Sequence, residues 1–232
     1  MDTTANIQYA AVVDHVREVT LFGTADWGFW QERLRTEGLR PYSRDGRAEL
    51  MIIATDLKWM GIRFNELSIS VATGAGDAVS VRDGAFLVRA FNSSRLLAFA
   101  ERTFFQTPYY PASVQVEDRV PCFFKLSEAG EGVLSAGMSG TAPRARSGDE
   151  LWQGAVHLPT KPGSRRSLFF VKLSGQTEIY PFDSSSDALE LKPPPGDNVL
   201  RWLAESNFAA LEWHIRRDAV HAKSKTYKRE QG

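Results

Sequence analysis

The stretch SSRLLAFAERTFFQTPYYPASVQV runs a helix-like segment into Pro108, sets Tyr109 and Tyr110 side by side, and leaves through Pro111 into an alternating tail. Prolines stop the helix there and fix the direction of the chain. A phenol at such a corner either packs the turn or holds its hydroxyl at the mouth of a pocket. With an ordinary pKa near ~10 it acts as a hydrogen-bond donor, not as a nucleophile, at neutral pH. Upstream, FNELSISV alternates Glu66, Ser68 and Ser70 against Leu67, Ile69 and Val71, so a carboxylate and two hydroxyls share one strand face. That face is either outward and solvated or turned to an interior. An enclosed carboxylate has its pKa raised by desolvation, which suits a general acid or base.

Other chemistries lack the residues they need. GAGDAV starts like a dinucleotide loop, but its sixth position is Val79 and the following segment reads as strand. GMSGT lacks the second glycine of a nucleophile elbow. His15, His157, His214 and His221 never fall at a metal-binding spacing, so neither a metal nor another cofactor is expected.

These residues need elements to position them. Asp26 precedes Phe29, Trp30 and Leu34, and Gly38 and Pro41 follow, which predicts a short amphipathic helix. RAELMIIATDL and IRFNELSISVAT predict strands, and GAGD a hairpin connection to AVSVRDGAFLVRAF. A helix over Ser93 to Phe105 precedes the corner, and a run of short strands follows it. Another helix, capped by Asp197, precedes a last strand-like stretch. Many short strands with glycine and proline punctuation predict a barrel or sandwich. Residues 1–232 read as one domain, with 223–232 a flexible, solvated basic tail.

The 232 residues, 43% hydrophobic and 24% charged, match ordinary globular usage. Lys plus Arg equals Asp plus Glu at 28 each, so no overall field favours nucleic acid or an anionic membrane. Cys122, the single cysteine, excludes an internal disulfide framework and fits a cytoplasmic setting. No apolar run approaches the ~18 residues of a membrane span, and the N-terminus does not read as a secretory leader. The partner expected is a small molecule, with no nucleic acid or membrane; assembly of identical chains is compatible with the sequence.

The order of these segments resembles the acetoacetate decarboxylase-like superfamily, and within it a branch lacking the Schiff-base lysine. The resemblance rests on EGLRPYSRDGRAELMIIATDL, IRFNELSISV and GAFLVRAFNSSRLLAFAERTFFQTPYYPASVQV, within about residues 15–125. It implies a mainly β, α+β fold with a few helices: a closed, strongly curved antiparallel β-barrel-like structure around a central cavity. The family's decarboxylases form an imine on a lysine directly after the corner proline. Tyr109 takes that place here and Tyr110 the next, where a second lysine is common, so Schiff-base decarboxylation at this position is excluded. The resemblance places Glu66 at an acidic position lining the cavity and Arg102 at the arginine of the helix before the corner.

The catalytic candidates are therefore Glu66, Tyr109 and Arg102, with Tyr110, Gln115, Lys125, Ser68 and Trp59 as substrate-binding candidates. Each also has a plain reading. Glu66 would face solvent, Arg102 would pair with Glu101 or Asp118, the tyrosines would pack the corner, and Trp59 would cap the core. The function this suggests is a cofactor-independent lyase, cyclase or isomerase acting noncovalently on a carbonyl-bearing, polyketide-type secondary metabolite. The alternative is a binding or sensing protein that uses the same cavity without chemistry.

Overall fold

The computed structural model describes residues 7–76, 78–141, 143–160, 163, 165–196 and 198–229. In chain order the elements are β1 (Tyr9–Ala25), α1 (Trp27–Arg35), β2 (Ser43–Arg44), β3 (Arg47–Trp59), β4 (Ile62–Ala75), β5 (Ala78–Asn92) and α2 (Arg95–Ala100). A π-helical turn (Glu101–Phe105) leads into β6 (Tyr109–Pro111), β7 (Ser113–Glu117), β8 (Phe123–Glu128) and β9 (Glu131–Gly137). The rest are β10 (Arg146–Leu158), β11 (Ser167–Pro181), β12 (Ala188–Leu191), α3 (Val199–Glu205), β13 (Ala209–Ser224) and β14 (Tyr227–Lys228).

Seven strands close into a ring in the order β1, β13, β11, β10, β5, β4, β3, with β3 returning to β1. Six of its contacts are antiparallel, and the seventh, between β5 and β10, is parallel and only three residue pairs long. Gly84 sits at that seam, where a side chain would meet the Ala155 carbonyl oxygen at 2.4 Å, so only glycine lets the two backbones approach. The mainly β, α+β expectation holds, as a strongly curved sheet with one parallel seam.

A second sheet of four strands, in the order β12, β9, β8, β7, covers one outer side of the ring. Leu50, Ile52 and Ala54 of β3 and Leu67, Ile69 and Val71 of β4 point outward and pack with Val114, Phe124, Leu126 and Leu134 of this sheet. Each such fully buried aliphatic or aromatic side chain contributes roughly 1.5–3 kcal/mol, so this layer fixes which face of β3 and β4 turns inward. The opposite faces, Met51, Ile53, Thr55 and Leu57 with Glu66, Ser68 and Ser70, line the inside of the ring.

Asp26 caps α1, accepting a hydrogen bond from the Phe29 amide at 2.6 Å. The last helix takes its cap from Asn198, whose side chain accepts from the Leu200 and Arg201 amides; Asp197 lies outside the described residues. The basic tail expected from Lys223 onward is instead structured through Lys228. Lys223 and Ser224 belong to β13 and Tyr227–Lys228 pair with β11, because backbone pairing and an inward charge partner outweigh the local run of cations. Glu230 to Gly232 lie outside the described residues. Among the described residues no helix is long and apolar enough to cross a membrane.

Candidate active site

The ring encloses a cavity of about 1420 Å³. Its polar end is built where β4, β5, the helical corner and β13 meet. Asn92, the last residue of β5, is fully buried and uses both ends of its amide. Its Oδ1 accepts from the Ser94 amide at 2.7 Å as α2 begins, and its Nδ2 donates to Glu66 Oε1 at 2.8 Å. The start of the helix and the cavity carboxylate are thereby held together.

The corner then aims Tyr109. The helix loosens into the π-helical turn and ends at Gln106, which adopts a left-handed conformation with φ 59°. Thr107 ties the turn back by donating from Oγ1 to the Glu101 carbonyl at 3.0 Å and to Glu101 Oε2 at 2.6 Å. The Ala90 amide donates to the Pro108 carbonyl at 3.0 Å, after which β6 runs parallel to β5 with Tyr109 opposite Ala90. The Tyr109 ring packs with Leu87 and Phe169, and its hydroxyl donates to Glu66 Oε2 at 3.2 Å. π-helical turns recur at functional sites because they displace side chains that a regular helix would place elsewhere.

Lys223 completes this end. Its Nζ donates to Glu101 Oε2 at 2.5 Å and sits 4.7 Å, 4.9 Å and 5.6 Å from the ring centres of Phe169, Phe105 and Tyr109. Burial pushes the Glu66 carboxyl up to about 7, and the nearby Glu101 charge adds to the rise. Lys223 and the bonds from Tyr109 and Asn92 act in the opposite sense without cancelling it. Burial and the same two carboxylates push the Tyr109 phenol well above its ordinary value, so it remains a donor. The pair can therefore exchange one proton near neutral pH and donate another hydrogen bond without changing charge.

Four candidates from sequence, Glu66, Tyr109, Ser68 and Trp59, line the cavity. The other four do not. Tyr110 faces the opposite side of β6 from Tyr109 and packs on the main core, with the Arg89 guanidinium 3.8 Å over its ring. Arg102 is exposed on the π-helical turn, 5.6 Å from the Tyr110 ring centre; it pairs with neither anticipated carboxylate, since Glu101 takes Lys223 and Asp118 takes Arg17. Gln115 and Lys125 are exposed cross-strand neighbours on β7 and β8. Val114, Phe124 and Leu126 fill the core on the other face, and strand alternation sends Gln115 and Lys125 to solvent.

The cavity holds further polar residues that sequence reasoning missed. Glu18 of β1, buried to 1% exposure, contacts Arg216 of β13 and accepts from Thr20 Oγ1 at 2.8 Å. At another place on the wall, Glu49 contacts Arg82 and lies 3.5 Å from Arg44, which donates to Glu212 at 2.9 Å. The signal for Glu18 was present in REVTLF, where Glu18, Thr20 and Phe22 alternate with Val19 and Leu21 in the same manner as the face of Glu66. Lys223 and His221 carried no such signal. β-bulges in β1 and β13 shift the inward set from Glu212, His214 and Arg216 to His221 and Lys223, reversing the alternation. Among the described residues no group of three or more His, Cys, Asp or Glu is arranged to hold a metal ion.

No protein-family model matches the sequence, and no match was found among curated proteins. Solved structures do match. An acetoacetate decarboxylase-like enzyme from Sphingomonas wittichii RW1 is 14% identical, with 97% of this chain and 95% of that chain covered at a TM-score of 0.60. An acetoacetate decarboxylase is 13% identical over 94% of this chain and 88% of that one, at a TM-score of 0.63. The acetoacetate decarboxylase of Legionella pneumophila subsp. pneumophila str. Philadelphia 1 is 13% identical over 99% and 93%, at 0.60. The closed ring thus shares its fold with these acetoacetate decarboxylase-like structures.

Proposed function

We propose that the cavity is the active site of a cofactor-independent enzyme that moves protons on a small carbonyl-bearing molecule, of the polyketide type, without forming a covalent intermediate. The observation that carries this reading is the Glu66–Tyr109 contact: a carboxyl pushed up to about 7 beside a phenol that stays protonated. Glu66 exchanges the proton, and the Tyr109 hydroxyl turns from Glu66 to stabilise the oxygen of an enolising carbonyl. Isomerisation, dehydration and cyclisation all share that first step. The structurally similar decarboxylases lend the reading a catalytic fold, and Tyr109 removes imine chemistry from the position after Pro108.

The test is isomerisation of cyclohex-3-en-1-one, followed by the absorbance of the conjugated product. Glu66→Gln keeps the shape of the side chain and removes its exchangeable acid, so turnover should fall roughly 100-fold with the fold intact. Equal turnover by wild type and variant would overturn the reading. Noncovalent action is checked separately, by borohydride treatment with acetoacetate. The mass of the chain should not change, and an adduct on Lys223, the lysine that lines the cavity, would replace this mechanism with a covalent one.

A further inference from the structure

Strand register places a row of polar residues around the ring at the level of Glu66. Asn92 on β5 faces Glu66 on β4, Glu66 faces Thr55 on β3, Thr55 faces Glu18 on β1, and Glu18 faces Arg216 on β13. Glu66 and Glu18 are thus two strands apart, about 10 Å between their backbones at ~4.8 Å per strand, on walls of one cavity.

Glu18 is held from two sides. Arg216 and Thr20 engage its Oε1, and Arg216 is itself fixed by donating to Thr177 Oγ1 at 2.7 Å and to Glu150 Oε2 at 2.9 Å. The other oxygen, Oε2, lies 2.8 Å from His221 Nε2 as an ion-pair contact, and among the described residues neither atom makes a hydrogen bond of regular geometry. The His221 side chain keeps 22% exposure and lines the cavity. A buried carboxylate beside Nε2 fixes the proton on that nitrogen and leaves Nδ1 with a free lone pair. His15 is exposed against Asp218 and His157 is buried without a carboxylate; His214 also lines the cavity with Glu212 at its Nε2, but it is buried at 7% exposure and its Nδ1 lies 3.9 Å from Glu150.

We propose that Glu18 and His221 form a second proton-transfer pair in the cavity, with His221 as the base at one end of the ligand while Glu66 acts at the other. The inference rests on reading the cavity as a proton-transfer site, and it narrows the ligand to an enolisable carbonyl compound with a second reacting carbon in the same π system. Nδ1 takes the proton from the carbon next to the carbonyl, and the C–H electron pair becomes the enolate. Protonated Glu66 then delivers its proton to the distal carbon as the enolate collapses to the carbonyl. One proton is removed and one added, no oxidant is involved, and exchange with water resets both groups. Glu18 stabilises the transient imidazolium, the role of a buried carboxylate behind a histidine base.

Isomerisation of cyclohex-3-en-1-one in wild type, Glu66→Gln, His221→Gln and His221→Asn, with melting temperatures for each, separates the possibilities. Both His221 variants should remain folded and lose roughly 100-fold in rate. A His221 variant as fast as wild type, with Glu66→Gln slow, overturns the inference and spares the Glu66 reading. Inertness of wild type overturns the Glu66 reading, and labelling with diethyl pyrocarbonate, mapped by mass spectrometry, then decides the inference without turnover. His221 should label with exposed His15, while buried His157 and His214 should not. A His221 as unreactive as His157 overturns the assignment of a free, basic Nδ1.

Discussion

Glu66 and Glu18 are the same residue type, in the same register row, on the same cavity, yet their protonation differs. Burial raises both. At Glu66 the remaining influences are a second carboxylate, one lysine already shared with it, and two neutral donors, so burial prevails and the carboxyl titrates at about 7. At Glu18 the Arg216 guanidinium makes direct contact, with His221 and Thr20 behind it, and the carboxyl is held well below the usual range. Between these two carboxylates burial is common to both, and the contact with Arg216, supported by His221 and Thr20, makes the difference. One side of the ring is therefore equipped to give up or accept a proton, and the other to hold a fixed negative charge.

Removing the cation should break the contrast most severely. Arg216→Leu leaves Glu18 buried without compensation, and a loss of about 3–5 kcal/mol is expected in denaturant unfolding at neutral pH. Much of it should return as the pH falls and Glu18 takes up a proton. A variant within about 0.5 kcal/mol of wild type, the range of surface changes, would show that Arg216 does not govern Glu18.

The next largest effect has the opposite sign. Because the folded-state pKa of Glu66 is raised above its ordinary 4.5, the folded chain binds the proton more tightly than the unfolded one. The stability this brings is full below about pH 4.5 and is lost as pH rises to about 7. Glu66→Gln has no such proton. Between pH 4.5 and 7.5 the wild type should lose on the order of 3 kcal/mol relative to the variant. Parallel stability curves for the two would place the Glu66 titration outside this window.

The Glu66 side of the contrast was legible in sequence, and so was the alternation around Glu18, but the partner His221 was not, for a physical reason. Alternation in FNELSISV sorts residues cleanly because β4 is regular from Phe64 to Ile69, and the proline corner announces where Tyr109 must turn. β1 and β13 carry bulges, His15 adopts a φ of 57°, and the inward set changes parity within each strand, so period-two reading cannot follow it to His221 and Lys223. The count of short strands pointed to a barrel or sandwich and the resemblance to a closed form, whereas the parallel seam depends on one glycine and on pairing between residues about 70 positions apart. Lys125 and Arg102 lie away from the cavity for a different reason: Lys125 alternates with buried Phe124 and Leu126 and so faces solvent, and Arg102, expected from its place in the family's helix, is exposed on the π-helical turn.

Tyr109→Phe sharpens the contrast without dismantling it. It removes the phenol donor from Glu66 Oε2, one of the influences that lowers the Glu66 pKa, so that carboxyl should titrate higher still. The acid limb of the pH–rate profile should move upward, and the rate should fall roughly tenfold, equivalent to about 1.4 kcal/mol in the barrier. Stability should change by no more than about 1 kcal/mol, because only one hydrogen bond is lost and the ring stays packed. A pH–rate profile identical to wild type would disconnect Tyr109 from Glu66.

The smallest effect is expected next door. Tyr110 follows Tyr109 in β6, and adjacent strand residues point to opposite faces, so its ring lies on the main core under the Arg89 guanidinium, away from the cavity. The stacking depends on the ring face and not on the hydroxyl, which has no hydrogen-bond partner among the described residues. Tyr110→Phe keeps the ring and should leave turnover unchanged and stability within about 0.5 kcal/mol of wild type. The comparison with Tyr109→Phe is what gives the result its force. Both remove the same atom from neighbouring residues, and their chemistry differs only in the face of the strand from which it is removed. If Tyr110→Phe slowed turnover as much as Tyr109→Phe, the corner would be acting through its overall packing, and the direct hydrogen bond to Glu66 would lose its special role.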